Sequence, residues 1–214
     1  MDSDAVIRGE IERNVYRMRE VESGVCVDIG AHTGYFTVDA LRRGFHTVVS
    51  FEADHRNFVG LVERLNCRNH HAFWGAMWRG DYDGFQIQMR YQWGVDGENT
   101  GAGSVAVGDN HRETVPVFKL PLYHIDFLKL DCEGAEYAIL YTSDLSNIQR
   151  IAMEIHFGIE FVPEAIVDGK NNTVEGMVSH LESRGFLVEV FGSGVRTAYL
   201  FARRLAAPAF SPIR

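Results

Sequence analysis

The stretch Val27-Asp28-Ile29-Gly30-Ala31-His32-Thr33-Gly34-Tyr35 decides how the rest of the chain is read. A short apolar run meets a glycine turn and then a segment with helical spacing. Glycine tolerates left-handed backbone and close approach, and the first turn of the following helix offers free N–H groups. This pattern predicts a buried strand delivering a ligand-binding turn to one end of a sheet. Phe51-Glu52 closes the next apolar run, 22 residues past Gly30. An acid at the end of a second strand, roughly 20 residues beyond such a turn, accepts hydrogen bonds from ribose hydroxyls.

Outward from the turn, helical and extended segments alternate. Phe36, Ala40 and Leu41 share a helix face, with Gly44 at its end. His46–Phe51 reads as a strand. Asp54 caps a helix carrying Phe58, Leu61, Val62 and Leu65, and Asn69–Trp74 reads as a third strand. This order predicts an α/β fold with a parallel sheet and helices on both faces. Ahead of it, Ile7, Ile11, Val15 and Met18 predict an amphipathic leading helix within residues 1–22, running over 4–21.

Residues 79–113 form a glycine-rich insertion with no helical pattern; Phe85, Ile87, Met89 and Tyr91 alternate as on one strand face, and 114–120 reads as another strand. Ile125–Asp131 is an apolar strand ending in a carboxylate, Ala135–Tyr141 a short helix, and Arg150–Phe157 the next strand. Residues 157–172 read as an inserted loop. Thr173 caps a helix closed by Gly185, and Phe186–Gly192 with Arg196–Arg203 forms an antiparallel hairpin. The tail 206–214 is expected to fray. One domain over 23–205 is the economical division.

The composition fits that reading. Of 214 residues, 46% are hydrophobic and 23% charged, enough for one sizeable core and too apolar for a disordered chain. A net charge of −8 disfavours a nucleic-acid partner. Cys26, Cys67 and Cys132 match neither a disulfide framework nor zinc spacing; Cys26 and Cys132 read as core residues. No apolar run reaches the roughly 20 residues of a membrane span, and Met1-Asp2-Ser3-Asp4 opens no signal peptide. A cytoplasmic location is expected.

The turn discriminates between adenosine cofactors. A dinucleotide fingerprint needs a middle glycine where His32 stands, so that diphosphate can approach the backbone. Asp28, at the strand tip, would repel a diphosphate and bind an ammonium group. Both features favour S-adenosylmethionine (SAM), whose tail is an amino acid.

Val27–Thr37, Phe51-Glu52-Ala53, Phe127–Leu140 (FLKLDCEGAEYAIL) and Met153-Glu154-Ile155-His156 resemble the FkbM-type methyltransferases over residues 24–200. The K-x-D-x-E-G-x-E string is the more specific part. The resemblance implies a SAM-dependent enzyme of the Rossmann-like class I fold. It implies a mostly parallel seven-stranded sheet with a C-terminal antiparallel hairpin, and a small-molecule or sugar hydroxyl as acceptor. Relative to the family, the segment before the K-x-D motif is shortened: Phe118–Tyr123 runs almost directly into Ile125, which reshapes the acceptor side.

Cofactor contacts are expected from Asp28, Gly30, His32, Thr33, Gly34, Tyr35, Glu52, Ala53, Asn57 and Asp131. Class I analogy adds Ala76 and Met77, with Trp78 stacking or packing nearby, and family analogy adds Ser104. Lys129 and Asp131 share one strand face, Glu154 and His156 another. If those strands are neighbours, Lys129 pairs with Glu154, and Asp131 and His156 converge at the methyl position, His156 with the intrinsic pKa of a general base. The plain alternatives are Asp131 as a helix cap, Glu136 as a solvated charge and His156 as a structural histidine. A divalent metal on Asp131 with Glu133 or Glu136 is conceivable and not predicted. Competing readings are a ribose 2′-O nucleic-acid methyltransferase, a nicotinamide oxidoreductase and a SAM-binding module without catalysis.

Overall fold

The computed structural model describes residues 3–18, 23–91, 103–104, 112–158, 166–167, 169–192, 194 and 196–205. In chain order the elements are α1 (Ser3–Arg13), β1 (Val25–Ile29), α2 (Tyr35–Arg42), β2 (Thr47–Glu52), α3 (His55–Arg64), β3 (His70–Trp74), β4 (Ala76–Met77), β5 (Gln86–Tyr91), β6 (Gly103–Ser104) and β7 (Arg112–Phe118). They continue with β8 (Phe127–Leu130), α4 (Glu136–Thr142), β9 (Arg150–His156), β10 (Ile166–Val167), β11 (Lys170–Asn171), α5 (Val174–Ser183), β12 (Phe186–Phe191) and β13 (Thr197–Arg204).

Seven strands form one sheet in the order β12-β13-β9-β8-β1-β2-β3. The pairs from β9 to β3 are parallel, and β13 runs antiparallel to both β9 and β12. The expected mostly parallel sheet with a closing antiparallel hairpin is present. Alternation along the strands sorts side chains between two cores. Val27, Ile29, Leu128, Leu130, Met153 and Ile155 face the one that α4 and α5 cover with Tyr137, Ile139, Leu140, Met177 and Leu181. Cys26, Val48, Phe127, Ala152 and Phe201 face the other, where Phe36 and Ala40 of α2 meet Tyr16 and Met18. Each fully buried Leu, Ile or Phe contributes roughly 1.5–3 kcal/mol.

A polar seam crosses the second core. Asp28 and Lys129 are register partners on β1 and β8, so both project on the Cys26 face. Thr37 of α2 donates to Asp28 Oδ2 at 2.7 Å and lies 2.9 Å from the Ser50 hydroxyl, which lies 3.1 Å from His70 Nε2. Buried polar groups on a strand are tolerated when they are bonded in this way.

The leading helix differs from expectation. It ends at Arg13, because Asn14 and Arg17 take φ of 55° and 51°. Tyr16 and Met18 still reach the core, through a turn rather than a helix face. The insertion also holds more order than expected: β4, β7, β5 and β6 make a second, four-stranded sheet. Met89 is buried there, whereas Phe85 is 89% exposed instead of sharing its face. Within the expected loop 157–172, β10 and β11 pair antiparallel. Gly94, Gly97, Gly101, Gly108, His111 and the tail 206–214 lie outside the described residues. Among the described residues no helix is long and apolar enough to cross a membrane.

Candidate active site

The carboxyl ends of β1, β2, β8 and β9 converge at the turn after β1, the place where open α/β sheets bind ligands. The N–H groups of Gly30 and Ala31 both donate to the carbonyl of Phe51, at 3.0 and 3.1 Å. Gly30 has φ of 74°, and a Cβ there would lie 1.8 Å from the carbonyl oxygen of Asp131. Gly34 has φ of 88° and faces Leu61. His32, with φ of 51°, holds the same left-handed backbone without being glycine.

Glu52 is fixed at the rim of this turn. Its Oε2 accepts the N–H of His32 at 2.7 Å and its Oε1 that of Asp54 at 2.8 Å. Burial pushes its carboxyl up to about 7, and the two N–H groups oppose that rise. Each oxygen keeps a lone pair for a further donor.

Residues 3–18 close one side. Asp4 Oδ1 accepts the Thr33 hydroxyl at 2.7 Å and lies 3.5 Å from His32 Nδ1. The His32 ring is pushed down by burial, against the pull of Asp4. Arg64 donates to the Thr33 carbonyl and, with Arg8, stacks on Tyr35, the guanidinium carbons 3.9 and 5.1 Å from the ring centre.

Several expected contacts are placed differently. Asp28 is fully buried and engaged by Thr37 at 2.7 Å and by Lys129 at 3.3 Å, so its carboxylate is already held by groups of the chain behind the turn. Lys129 does not pair with Glu154. Its register partner on β9 is Ala152, and its ammonium donates to the Gly30 carbonyl at 2.7 Å, close to Asp28 and 3.8 Å from Asp131. Burial alone would lower the Lys129 pKa, but Asp28 and Asp131 raise it and keep the group charged. Ala76 and Met77 are buried in β4, where Met77 and Trp78 belong to the main core's packing. Asn57 is buried on the first turn of α3, behind the Asp54 cap. Ala53 receives the Trp74 indole N–H on its carbonyl at 3.1 Å. Ser104 pairs through its backbone with Arg90; its side chain lies outside the described residues.

At the end of β8, Asp131 meets groups that the spacing does not reveal. Tyr16 donates to Asp131 Oδ2 at 3.1 Å and lies 3.4 Å from Glu10 Oε2, and Tyr199 donates to Glu10 Oε1 at 2.9 Å. One carboxylate oxygen each of Glu10, Asp131 and Glu154 lies within 4.8 Å of the other two. Burial first, then the charge of Asp131, pushes Glu154 up to about 8. The Lys129 ammonium and the phenols of Tyr16 and Tyr199 supply donors to this cluster from the chain itself.

His156 is not placed as a general base. Its Nδ1 lies 3.1 Å from Glu136 Oε1 and its Nε2 3.4 Å from Glu133 Oε2. Burial would lower its pKa, but Glu136 and Glu133 overcome that and raise it to about 10. The two carboxylates favour the cationic ring, which has no lone pair free to take a proton. Glu136 is fully buried rather than solvated, and it also accepts the Cys132 N–H at 3.0 Å. That orientation removes it from a shared metal site with Asp131.

The sequence profile of the Methyltransferase FkbM domain matches residues 28–188. The chain belongs to the FkbM methyltransferase family. Glu10, Tyr16 and Tyr199 fall outside the matched span. The FkbM methyltransferase of Methylobacillus flagellatus KT is similar in structure, with a TM-score of 0.54 and 14% identity. That similarity covers 85% of this chain and 44% of that one, so this FkbM chain spans under half the length of that relative. TrmK of M. capricolum, solved with S-adenosylhomocysteine (SAH), gives a TM-score of 0.50 at 9% identity over 89% of this chain and 67% of that one. The ribosomal protein L11 methylase of Lactobacillus delbrueckii subsp. bulgaricus gives 0.50 at 8% over 92% and 79%. These likenesses are of fold. A search of curated proteins gives no match.

Proposed function

We propose that this FkbM methyltransferase uses SAM and transfers its methyl group to a hydroxyl of a small molecule or sugar. The observation that carries the reading is Glu52, a buried carboxylate at the end of β2 tied to the N–H of His32 in the glycine turn. It is placed to accept two ribose hydroxyls. Beside it, His32 is buried where a dinucleotide fingerprint has its middle glycine, and Asp4 lies 3.5 Å from the ring. Both features support SAM over a nicotinamide dinucleotide.

SAM supplies an electrophilic methyl on a cationic sulfur. The chain must align the acceptor with that methyl and take up the hydroxyl proton. With His156 already an imidazolium, the carboxylate of Asp131 is the group we assign to that proton. Its side chain is 21% exposed, and Lys129 and Tyr16 hold it. Bound SAM would give up its sulfonium methyl to the hydroxyl oxygen and depart as SAH, and of the chain's own groups Asp131 would take the hydroxyl proton. The chain's net charge of −8 argues against the nucleic-acid reading.

Calorimetric titration with SAM, SAH and NAD tests the cofactor. Transfer of labelled methyl to neutral sugars, sugar phosphates and RNA tests the acceptor. Binding of NAD in preference to SAM, or methylation of RNA alone, overturns the proposal. Binding of SAM with no transfer to any acceptor leaves a binding module in its place, and transfer undiminished in Asp131→Asn overturns the role given to Asp131.

A further inference from the structure

The loop Asp131–Gly134 joins β8 to the turn before α4 and carries a conformational load. Glu133 has φ of 52° and Gly134 of 96°, so a side-chain-bearing residue holds left-handed backbone beside the candidate site. Such a conformation persists when its surroundings over-determine it. The loop also abuts the cofactor turn: the Asp131 N–H donates to the Ile29 carbonyl at 3.1 Å, and the Asp131 carbonyl sits where a Gly30 side chain would be. Any relaxation of the loop is therefore felt at Gly30.

What holds the loop is a buried ring. His156 ends β9, with Nδ1 turned to Glu136 of α4 and Nε2 to Glu133 of the loop. A neutral imidazole has one N–H and one bare lone pair, and between two ionised carboxylates that lone pair would face an oxygen repulsively; burial raises the Glu133 carboxyl to about 7. Both nitrogens can donate only in the cation. Glu136 adds a bond from the Cys132 N–H, so the same carboxylate grips the loop backbone and the ring.

We infer that His156 is a positioning residue: an imidazolium brace that ties Glu133 to Glu136 and keeps the Asp131–Gly134 loop seated against the glycine turn. The inference rests on the proposed function only in taking that turn as the cofactor site. Asp131 and Glu154 are the other charged groups facing the ring, from the end of β8 and from its own strand, and Thr197 is its register partner on β13.

The test is the affinity for SAH of His156→Gln relative to the unchanged protein, by calorimetry at pH 6 and pH 8. A glutamine cannot donate from two opposed nitrogens, so Glu133 or Glu136 must hold a proton for the loop to stay seated. The expected ratio is within about threefold of one at pH 6 and falls about tenfold by pH 8, as that proton is lost. Taking the ratio cancels any pH dependence of Glu52 itself. Adding Glu133→Gln to the variant removes one of the two carboxylates and should abolish the fall. A deficit equal at both pH values, no deficit, or a fall that Glu133→Gln leaves in place overturns the inference. If His156→Gln does not fold, nitrogen-15 spectra of the unchanged protein decide: both His156 ring nitrogens protonated at pH 8 upholds the brace, and a single protonated nitrogen overturns it. Failure of the unchanged protein to bind SAH refutes the proposed function, and the spectra still judge the brace.

Discussion

Gly30→Ala isolates the contact on which the cofactor turn depends. The new methyl would sit 1.8 Å from the carbonyl oxygen of Asp131 and 2.8 Å from its carbon. Both are backbone atoms, so no side chain can swing aside. Gly169 is an internal control: its φ of 72° nearly equals the 74° of Gly30, yet nothing lies within 4 Å of its would-be Cβ. Gly169→Ala reports the left-handed penalty alone, about 1–2 kcal/mol. Gly30→Ala adds the displacement of β1 from the Asp131 loop, for which overpacking costs of about 1–3 kcal/mol are typical. The sum is roughly 2–5 kcal/mol, or about 4–20 °C in Tm for a chain of this size. Urea unfolding of both variants gives the difference, and calorimetry with SAH gives the effect on the turn, expected as a loss exceeding tenfold for Gly30→Ala and none for Gly169→Ala. Equal destabilisation of the two, with Gly30→Ala binding SAH as before, would refute the reasoning.

The proposed ribose contact uses the ionised form of Glu52, whose carboxyl is raised to about 7, so SAH affinity should climb from pH 6 to pH 8 and Glu52→Gln should flatten that climb in a calorimetric series. The same raised value sets a stability trend of known sign. The folded state holds this proton more tightly than the unfolded chain, so Glu52 lowers stability as pH rises from about 4.5 to about 7, and Glu52→Gln should remove that part of the slope in urea titrations at successive pH values. Lys129→Met strands the fully buried Asp28 without its cation and should cost about 3–5 kcal/mol in urea unfolding, with partial recovery in Lys129→Met/Asp28→Asn. Tyr16→Phe loses one hydroxyl between Asp131 and Glu10 and should cost about 0.5–1.5 kcal/mol; a neutral result would mean that the phenol does not orient Asp131.

The glycine turn, Glu52 and the strand–helix alternation were legible because each is written in a few adjacent residues. The exception among local signals is instructive. Val15 and Met18 extend the helical spacing of Ile7 and Ile11, yet Asn14 breaks the helix, and a turn then places Tyr16 and Met18 in the core. Spacing alone cannot separate these two routes inward. The partner of Lys129 was illegible for another reason. Acids stand on both flanking strands, and the choice depends on register, which sets Lys129 opposite Asp28 on one side and Ala152 on the other. Parity along β9 gave the face of His156, but not that Glu133 and Glu136 enclose its ring from a loop and a helix. Tyr16 and Glu10 meet Asp131 across more than a hundred residues, and no motif spans that distance.

The place of β13 carries a consequence for synthesis. This strand lies between β12 and β9, inside the sheet, and among the sheet's described strands it is the last in chain order. Until it emerges, β9 has one naked flank with unpaired amides and carbonyls, an invitation to mispairing with other nascent chains. Tyr199 arrives with it and bonds to Glu10. The cluster around Asp131 is therefore finished by a clasp between α1 and β13, across 189 residues of sequence, and a polypeptide stalled before residue 197 would hold the glycine turn without that clasp.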